Sequence, residues 1–341
     1  RVAWASGCIA CPCLMPLLLL VFSPTCTKNY QPPPAPGAPL TRNGDEIMAC
    51  GQLFHTGTRV ILWLDPGGYD AYRAYRLFNS DETLPSRPSP GCNTPSRYDP
   101  IRGDLEGSIA RQVRERGWDL ETLARVVDLF VIHYDAGGVS RECFHVLHDE
   151  RGLSVHFLLD LDGTLYQTLD LKERARHAGV ANSRSIGIEI ANVGAHEDAD
   201  RAAEWYSTDA GGQVRVVIPS KLGDGGIRTP GFIARPARPQ LIEGTIQRRR
   251  LHQYDLTNAQ YDALIKLTYT LCTILPRIRN DYPRNENGAL ATEVLSGDEL
   301  SRFSGVLGHF HVSANKVDPG PAFDWDRVVS GVAKLRERPH P

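Results

Sequence analysis

The run Val126–Ile132 (VVDLFVI) constrains the fold more than any other stretch of this chain. It is nearly continuous in apolar residues and includes β-branched ones, which suits a strand covered on both faces. Such a strand needs partners, and the flanking sequence offers them. Val155–Leu159 and Thr164–Leu169 bracket Asp162-Gly163, a strong hairpin signal. Ser185–Ala191 (SIGIEIA) alternates and predicts another strand. Thr58–Leu64 (TRVILWL) predicts one more, closed by the turn residues Asp65-Pro66-Gly67-Gly68. Helices are expected between these runs. Ser140 is placed to cap a short helix carrying Cys143, Phe144 and Leu147. Thr257 is placed to cap a longer one in which Tyr261, Leu264, Ile265, Thr268, Leu271 and Cys272 recur at helical spacing. Trp325–Leu335 reads as a terminal amphipathic helix. The expectation is an α/β fold with a central mixed β-sheet flanked by helices, an N-terminal extension and a loop-rich insertion.

With 341 residues, 41% of them hydrophobic, a sizeable core is available. Residues 1–26 read as a leader: Leu14–Phe22 is apolar, too short to span a bilayer, and like the core of a signal peptide. This predicts export to the periplasm or cell envelope, with a lipidated Cys26 as the one membrane anchor the sequence offers. Residues 27–43 form a Pro-rich linker. Residues 44–120 form an N-terminal extension packed on a domain over 121–337, with a long surface loop over 79–104. Residues 197–250 are a Gly/Arg/Pro-rich insertion with little periodicity, expected as loops near the site. A net charge of -2 and the lack of a Lys/Arg-rich run argue against a nucleic-acid partner. Of eight cysteines, Cys8, Cys11, Cys13 and Cys26 lie in or beside the leader. The others, Cys50, Cys92, Cys143 and Cys272, permit either disulfides in any of three pairings or buried free thiols.

Catalytic zinc takes three protein ligands and keeps a position for water. His133 ends the strand FVIH, His309 ends VLGH, and Asp318 follows nine positions later among prolines that stiffen its loop. Spacing alone does not establish a site. The chain has eleven histidines, and imidazole is a structural group as often as a ligand. Glu189 alternates with Ile188 and Ile190, a pattern that ordinarily points to solvent, and Lys316 by itself is a surface lysine. In an extended segment His311 points to the same side as His309, so the two can exchange as ligand, although the preceding glycine favours His309. His156 reads as structural. His55, His145, His148, His196, His252 and His340 have no motif behind them. The H-E-x-x-H helix of zinc proteases is absent.

The segments FVIHYDAGG, VHFLLDLDGTLYQTLDLKERARHAG, SIGIEIANVG and VLGHFHVSANKVDPGPAFDW together resemble the zinc N-acetylmuramoyl-L-alanine amidases of the amidase-2 type. That superfamily also includes animal peptidoglycan recognition proteins and phage lysozymes with amidase activity. The resemblance runs in the family's order over roughly residues 126–336. It implies one Zn2+ ion held by His133, His309 and Asp318, with Glu189 as general base and acid and Lys316 as oxyanion stabiliser. It places His177 beside the groove, touching substrate or supporting a ligand. The implied reaction is hydrolysis of the amide between N-acetylmuramic acid and L-alanine in peptidoglycan or muropeptides. A peptidoglycan-binding module without hydrolysis is the alternative, but such relatives typically lose a zinc ligand. The sequence departs from the family in Tyr134-Asp135 after the first ligand, in the length of 197–250, and in residues 44–120.

Overall fold

Alternation decides how the central sheet is layered. In the strand Leu129–Tyr134, Phe130 and Ile132 enter the main core, while Leu129 and Val131 pack in a separate cluster, as a side-chain period of two demands. The strand Ser185–Ile190 repeats the pattern: Ile186, Ile188 and Ile190 join the main core. Ser185, Gly187 and Glu189 are left for the opposite face. The two strands are parallel neighbours, with His133 in register with Glu189.

The computed structural model describes Ala3 and residues 35–73, 97–103 and 105–337. The chain divides into a unit up to Thr41 and a main unit from Arg42 onward. Of the first, residues 35–41 contain a turn in which the amide of Ala38 bonds the carbonyl of Ala35 at 2.9 Å. In the second, six strands run in the order Gly305–Gly308, Leu129–Tyr134, Ser185–Ile190, Phe157–Leu159, Leu165–Gln167, Val60–Leu62. Only the Phe157–Leu159/Leu165–Gln167 hairpin is antiparallel. This is the expected α/β fold around a mixed sheet.

The helix Asn258–Ile274 begins with a capping box between Thr257 and Gln260. Its Tyr261, Leu264, Leu267 and Leu271 are fully buried in the main core. Each such leucine contributes roughly 1.5–3 kcal/mol of burial. The helix Trp325–Arg336 lies along it, and Gly331 permits the approach: a Cβ there would fall 2.6 Å from Ile265 Cδ1. From the extension, Ile47, Ala49, Val60 and Leu62 occupy the same core.

Several expectations are corrected. The buried strand begins at Leu129, because Asp119 caps a helix over Leu120–Val126 that takes Val126 with it. Asp128 is buried at the junction, paired with Arg184 and Arg277. Ser140 does not cap its helix. The helix starts at Ser140 after Val139, with the Ser140 hydroxyl buried and unpartnered. The carboxylate of Asp135 organises the preceding turn instead, accepting from the amides of Gly137 and Gly138. The insertion is more ordered than its composition suggests, with hairpins Tyr206–Thr208/Val214–Val216 and Ile242–Ile246/Arg249–Gln253. Of the loop over 79–104, Tyr98–Asp99 pairs with Arg174–Ala175. Cys50, Cys143 and Cys272 are free thiols, so no disulfide forms among the described residues. Cys92, Cys26 and, apart from Ala3, the leader lie outside the described residues. Among the described residues no helix is long and apolar enough to cross a membrane.

Candidate metal centre

Three chain segments converge at the carboxyl ends of two adjacent strands. His133 lies at the end of its strand on the face opposite Phe130 and Ile132. His309 opens the short helix His309–Val312 directly after Gly305–Gly308. Asp318 returns on the following loop, tied back by the amide of Phe310 to the Asp318 carbonyl at 3.2 Å. Gly308 makes room for that return: a Cβ there would lie 2.6 Å from Pro319 Cδ. Just beyond the insertion, Gln253 braces the loop. Its amide nitrogen donates to the Pro319 carbonyl at 3.0 Å, and its oxygen accepts from the Ala322 amide at 3.0 Å.

The result is a triangle of donor atoms. His133 Nδ1 lies 3.0 Å from His309 Nδ1 and 2.8 Å from Asp318 Oδ2, and His309 Nδ1 lies 3.1 Å from that same oxygen. All three residues are buried. Tetrahedral zinc with ligand bonds of about 2.0–2.1 Å separates its donors by roughly 3.3 Å. The triangle therefore has to open by only a few tenths of an ångström, and two imidazoles with one carboxylate are donors zinc accepts. The residues fit the ion.

Electrostatics point the same way. Burial lowers the His133 pKa to about 4, only partly opposed by Asp318, so the imidazole is neutral with a lone pair to offer. Burial alone pushes Asp318 up. The polar contact with the His133 and His309 rings outweighs it and holds this carboxyl well below its ordinary range. The other His133 nitrogen, Nε2, is 3.0 Å from His177 Nδ1, and His177 Nε2 is 3.2 Å from Ser185 Oγ. With His133 Nδ1 turned to the cluster, Nε2–H donates to His177, whose own Nε2–H donates to Ser185. His177 packs so close to the sheet that a Cβ on Gly187 would lie 2.5 Å from its ring.

Beside the triangle is a cleft of about 560 Å³ lined by His133, His177, Glu189, His309, Lys316 and Asp318, among others. Glu189 reaches this cleft rather than bulk solvent, which its alternating pattern alone does not reveal. Burial pushes its carboxyl well above the ordinary range, with Asp318 and Asp135 adding to the effect and Lys316 opposing it. Among the described residues no side-chain hydrogen bond or ion pair ties down Glu189 or Lys316.

His311 does not compete with His309. The segment is helical, not extended, so residues two apart diverge. His311 Nδ1 accepts from the Gly308 amide at 2.9 Å, and its Nε2 donates to the Ala291 carbonyl at 2.7 Å. His156 is buried, with Nδ1 accepting from the Gly187 amide and Nε2 donating to the Glu173 carbonyl. Asp45, Glu46 and His55 also gather, but Glu46 spends its oxygens on the amides of Asn43, Gly44 and Asp45. Sequence reasoning missed Asp135, Ser185 and Gln253. Only Asp135 carries a local signal, an Asp two residues before a glycine pair.

The model of a family described as N-acetylmuramoyl-L-alanine amidase matches residues 123–321. No curated protein matches the chain. Among solved structures, a selenomethionine derivative of AmpD is 20% identical, covering 72% of this chain and 92% of its own, at a TM-score of 0.32. AmpDh3 from Pseudomonas aeruginosa, in complex with anhydromuramic pentapeptide, is 18% identical over 60% of this chain and 59% of its own, at 0.33. The amidase AmiD from E. coli, in complex with anhydro-N-acetylmuramic acid-L-Ala-D-gamma-Glu-L-Lys, is 19% identical over 60% of this chain and 57% of its own, at 0.32.

Proposed function

The chain belongs to the N-acetylmuramoyl-L-alanine amidase family, and from that premise we propose that it is a zinc hydrolase cutting the bond between N-acetylmuramic acid and L-alanine in peptidoglycan or its released muropeptides. One observation carries the zinc part of this reading: the buried triangle of His133, His309 and Asp318 beside a cleft that also presents Glu189 and Lys316.

Bound zinc supplies Lewis acidity, bringing the pKa of a water towards neutrality and polarising the amide carbonyl. The chain's own groups do the rest. Glu189, its basicity raised by burial, takes a proton from the attacking water and returns it to the leaving amine nitrogen. The Lys316 ammonium donates to the carbonyl oxygen as that oxygen gains charge in the tetrahedral intermediate, then releases it as the carbonyl re-forms. His177 and Ser185 hold the His133 ring with Nδ1 turned to His309 and Asp318, where it would be available to the ion. Export through the leader belongs to the same proposal and rests on the Leu14–Phe22 run. Cell fractionation that leaves the whole chain in the cytosol would remove that part.

The test is metal content and product analysis on purified muropeptides for wild type, His133→Ala and Glu189→Ala. The expected products are free stem peptide and intact muramyl sugar. His133→Ala loses metal and turnover, whereas Glu189→Ala keeps metal and loses turnover. Binding without cleavage by the zinc-loaded wild type favours the binding-module alternative, and cut stem peptides favour a peptidase.

A further inference from the structure

Arg102 is 1% exposed, yet among the described residues no carboxylate pairs with it. Its Nη1 donates to the carbonyls of Ser185 (3.0 Å), Asn182 (3.2 Å) and Ser183 (3.4 Å). Its Nη2 donates to those of Leu171 (2.7 Å) and Glu173 (2.8 Å). His156 Nε2, 3.5 Å from Nη2, is itself a donor to the Glu173 carbonyl, so guanidinium and imidazole share one acceptor. Burial lowers the Arg102 pKa to about 9, which still leaves it charged at neutral pH.

Those carbonyls are not scattered. Residues 171 and 173 enter the loop that carries His177, and residues 182, 183 and 185 leave it for the Glu189 strand. One guanidinium therefore closes the base of the His177 loop. Three residues earlier, Asp99 grips the same loop from outside, 2.6 Å from Arg174 Nη1 and 2.8 Å from Arg176 Nη2. Inside the loop, Asn182 Oδ1 accepts from the amides of His177 and Ala178, and Ser185 Oγ meets His177 Nε2. Both grips come from residues 97–103, upstream of the family match at 123–321.

We propose that Arg102, with Asp99, is a positioning residue for the metal centre: the segment from the N-terminal extension sets the His177 loop, and through His177 the orientation of the His133 ring. A ring held at Nε2 presents Nδ1 without a reorientation cost, so loosening the loop weakens metal binding without removing a ligand. The inference rests on the zinc reading above.

The test measures zinc affinity by chelator competition, and the absorption spectrum of the Co(II)-loaded protein, for wild type, Arg102→Lys, Asp99→Ala and His177→Ala. Arg102→Lys keeps the charge but loses the fork. Its zinc affinity falls about tenfold, the lower end for partners that orient a ligand, and the Co(II) spectrum shifts. Asp99→Ala removes two partly exposed pairs and lowers affinity about threefold. In a His177→Ala background, Arg102→Lys changes zinc affinity no further, because its route to His133 is already cut. A role confined to stability lowers the melting temperature of the variants and leaves affinity and spectrum at wild-type values, which overturns the proposal. An Arg102→Lys chain that fails to fold leaves Asp99→Ala to decide by the same readouts. Wild type that takes up no zinc ends the zinc reading itself, whereas zinc uptake identical in wild type and variants ends only this inference.

Discussion

His133 Nε2 and His177 Nδ1 are 3.0 Å apart, with the two rings nearly perpendicular at 84°. With Nδ1 turned to His309 and Asp318, Nε2 is the His133 nitrogen that carries the proton for this bond, and the edge-on packing fixes where Nδ1 points. His177→Ala should therefore weaken zinc binding about 10–100-fold without abolishing it, whereas His133→Ala abolishes it. Chelator competition distinguishes the two, and equal loss in both would mean that His177 is itself a ligand.

Lys316 lines the cleft with no side-chain partner among the described residues. Lys316→Met should lower kcat about 10²–10³-fold, as expected for loss of an oxyanion donor, with KM changed little. Steady-state kinetics on a defined muropeptide check this. A change confined to KM would make Lys316 a substrate-binding group instead.

Asp160 gives a pH dependence away from the cluster of His133, His309 and Asp318. One oxygen accepts from the Leu161 amide at 2.8 Å, and the other is buried with no hydrogen-bond partner among the described residues. Burial, with a smaller contribution from Asp162, raises its pKa from 3.8 to about 7. The folded form then holds a proton that the unfolded chain releases. Its contribution is whole below pH ~4 and is lost as the pH rises through about 7. Asp160→Asn should raise the melting temperature at pH 8 by several degrees, given about 2–4 °C per kcal/mol for a chain of this size, and should give no gain at pH 4. Parallel stability curves for the two proteins across that range would contradict this.

Gly187 is not one of the proposed metal ligands, yet a Cβ on it would sit 2.5 Å from the His177 ring. Gly187→Ala should push that ring off the strand and lower zinc affinity about tenfold, within the range for a disturbed ligand partner, while the melting temperature of the metal-free protein falls only modestly. Unchanged zinc affinity would show that His177 can move without consequence for His133.

The sheet was legible because its strands announce themselves locally, through apolar alternation in SIGIEIA and the Asp162-Gly163 turn, as does the long helix through the Thr257 capping box. Motif order was enough to name His133, His309 and Asp318, and their donor atoms meet within 3.1 Å. What local pattern could not show is contact across long separations. Gln253 braces Pro319 from 66 residues away, and Arg102 reaches Ser185 from 83. Neither residue has a neighbour in sequence that hints at the pairing. The insertion misled for a different reason. Its strands are short and half exposed, so they lack the apolar period that betrays a buried strand. His311 misled because a four-residue helix replaces the extended segment that its strand-like lead-in suggested.

The pairing of His133 with Glu189 across two parallel strands ties assembly to chemistry. Slippage by a single residue would carry an isoleucine into the cleft and drive the carboxylate into the oily side of the sheet. A chain zipped wrongly there is unstable and, on the role proposed for Glu189, inert, so the thermodynamics of strand matching proofreads the catalyst before any substrate arrives.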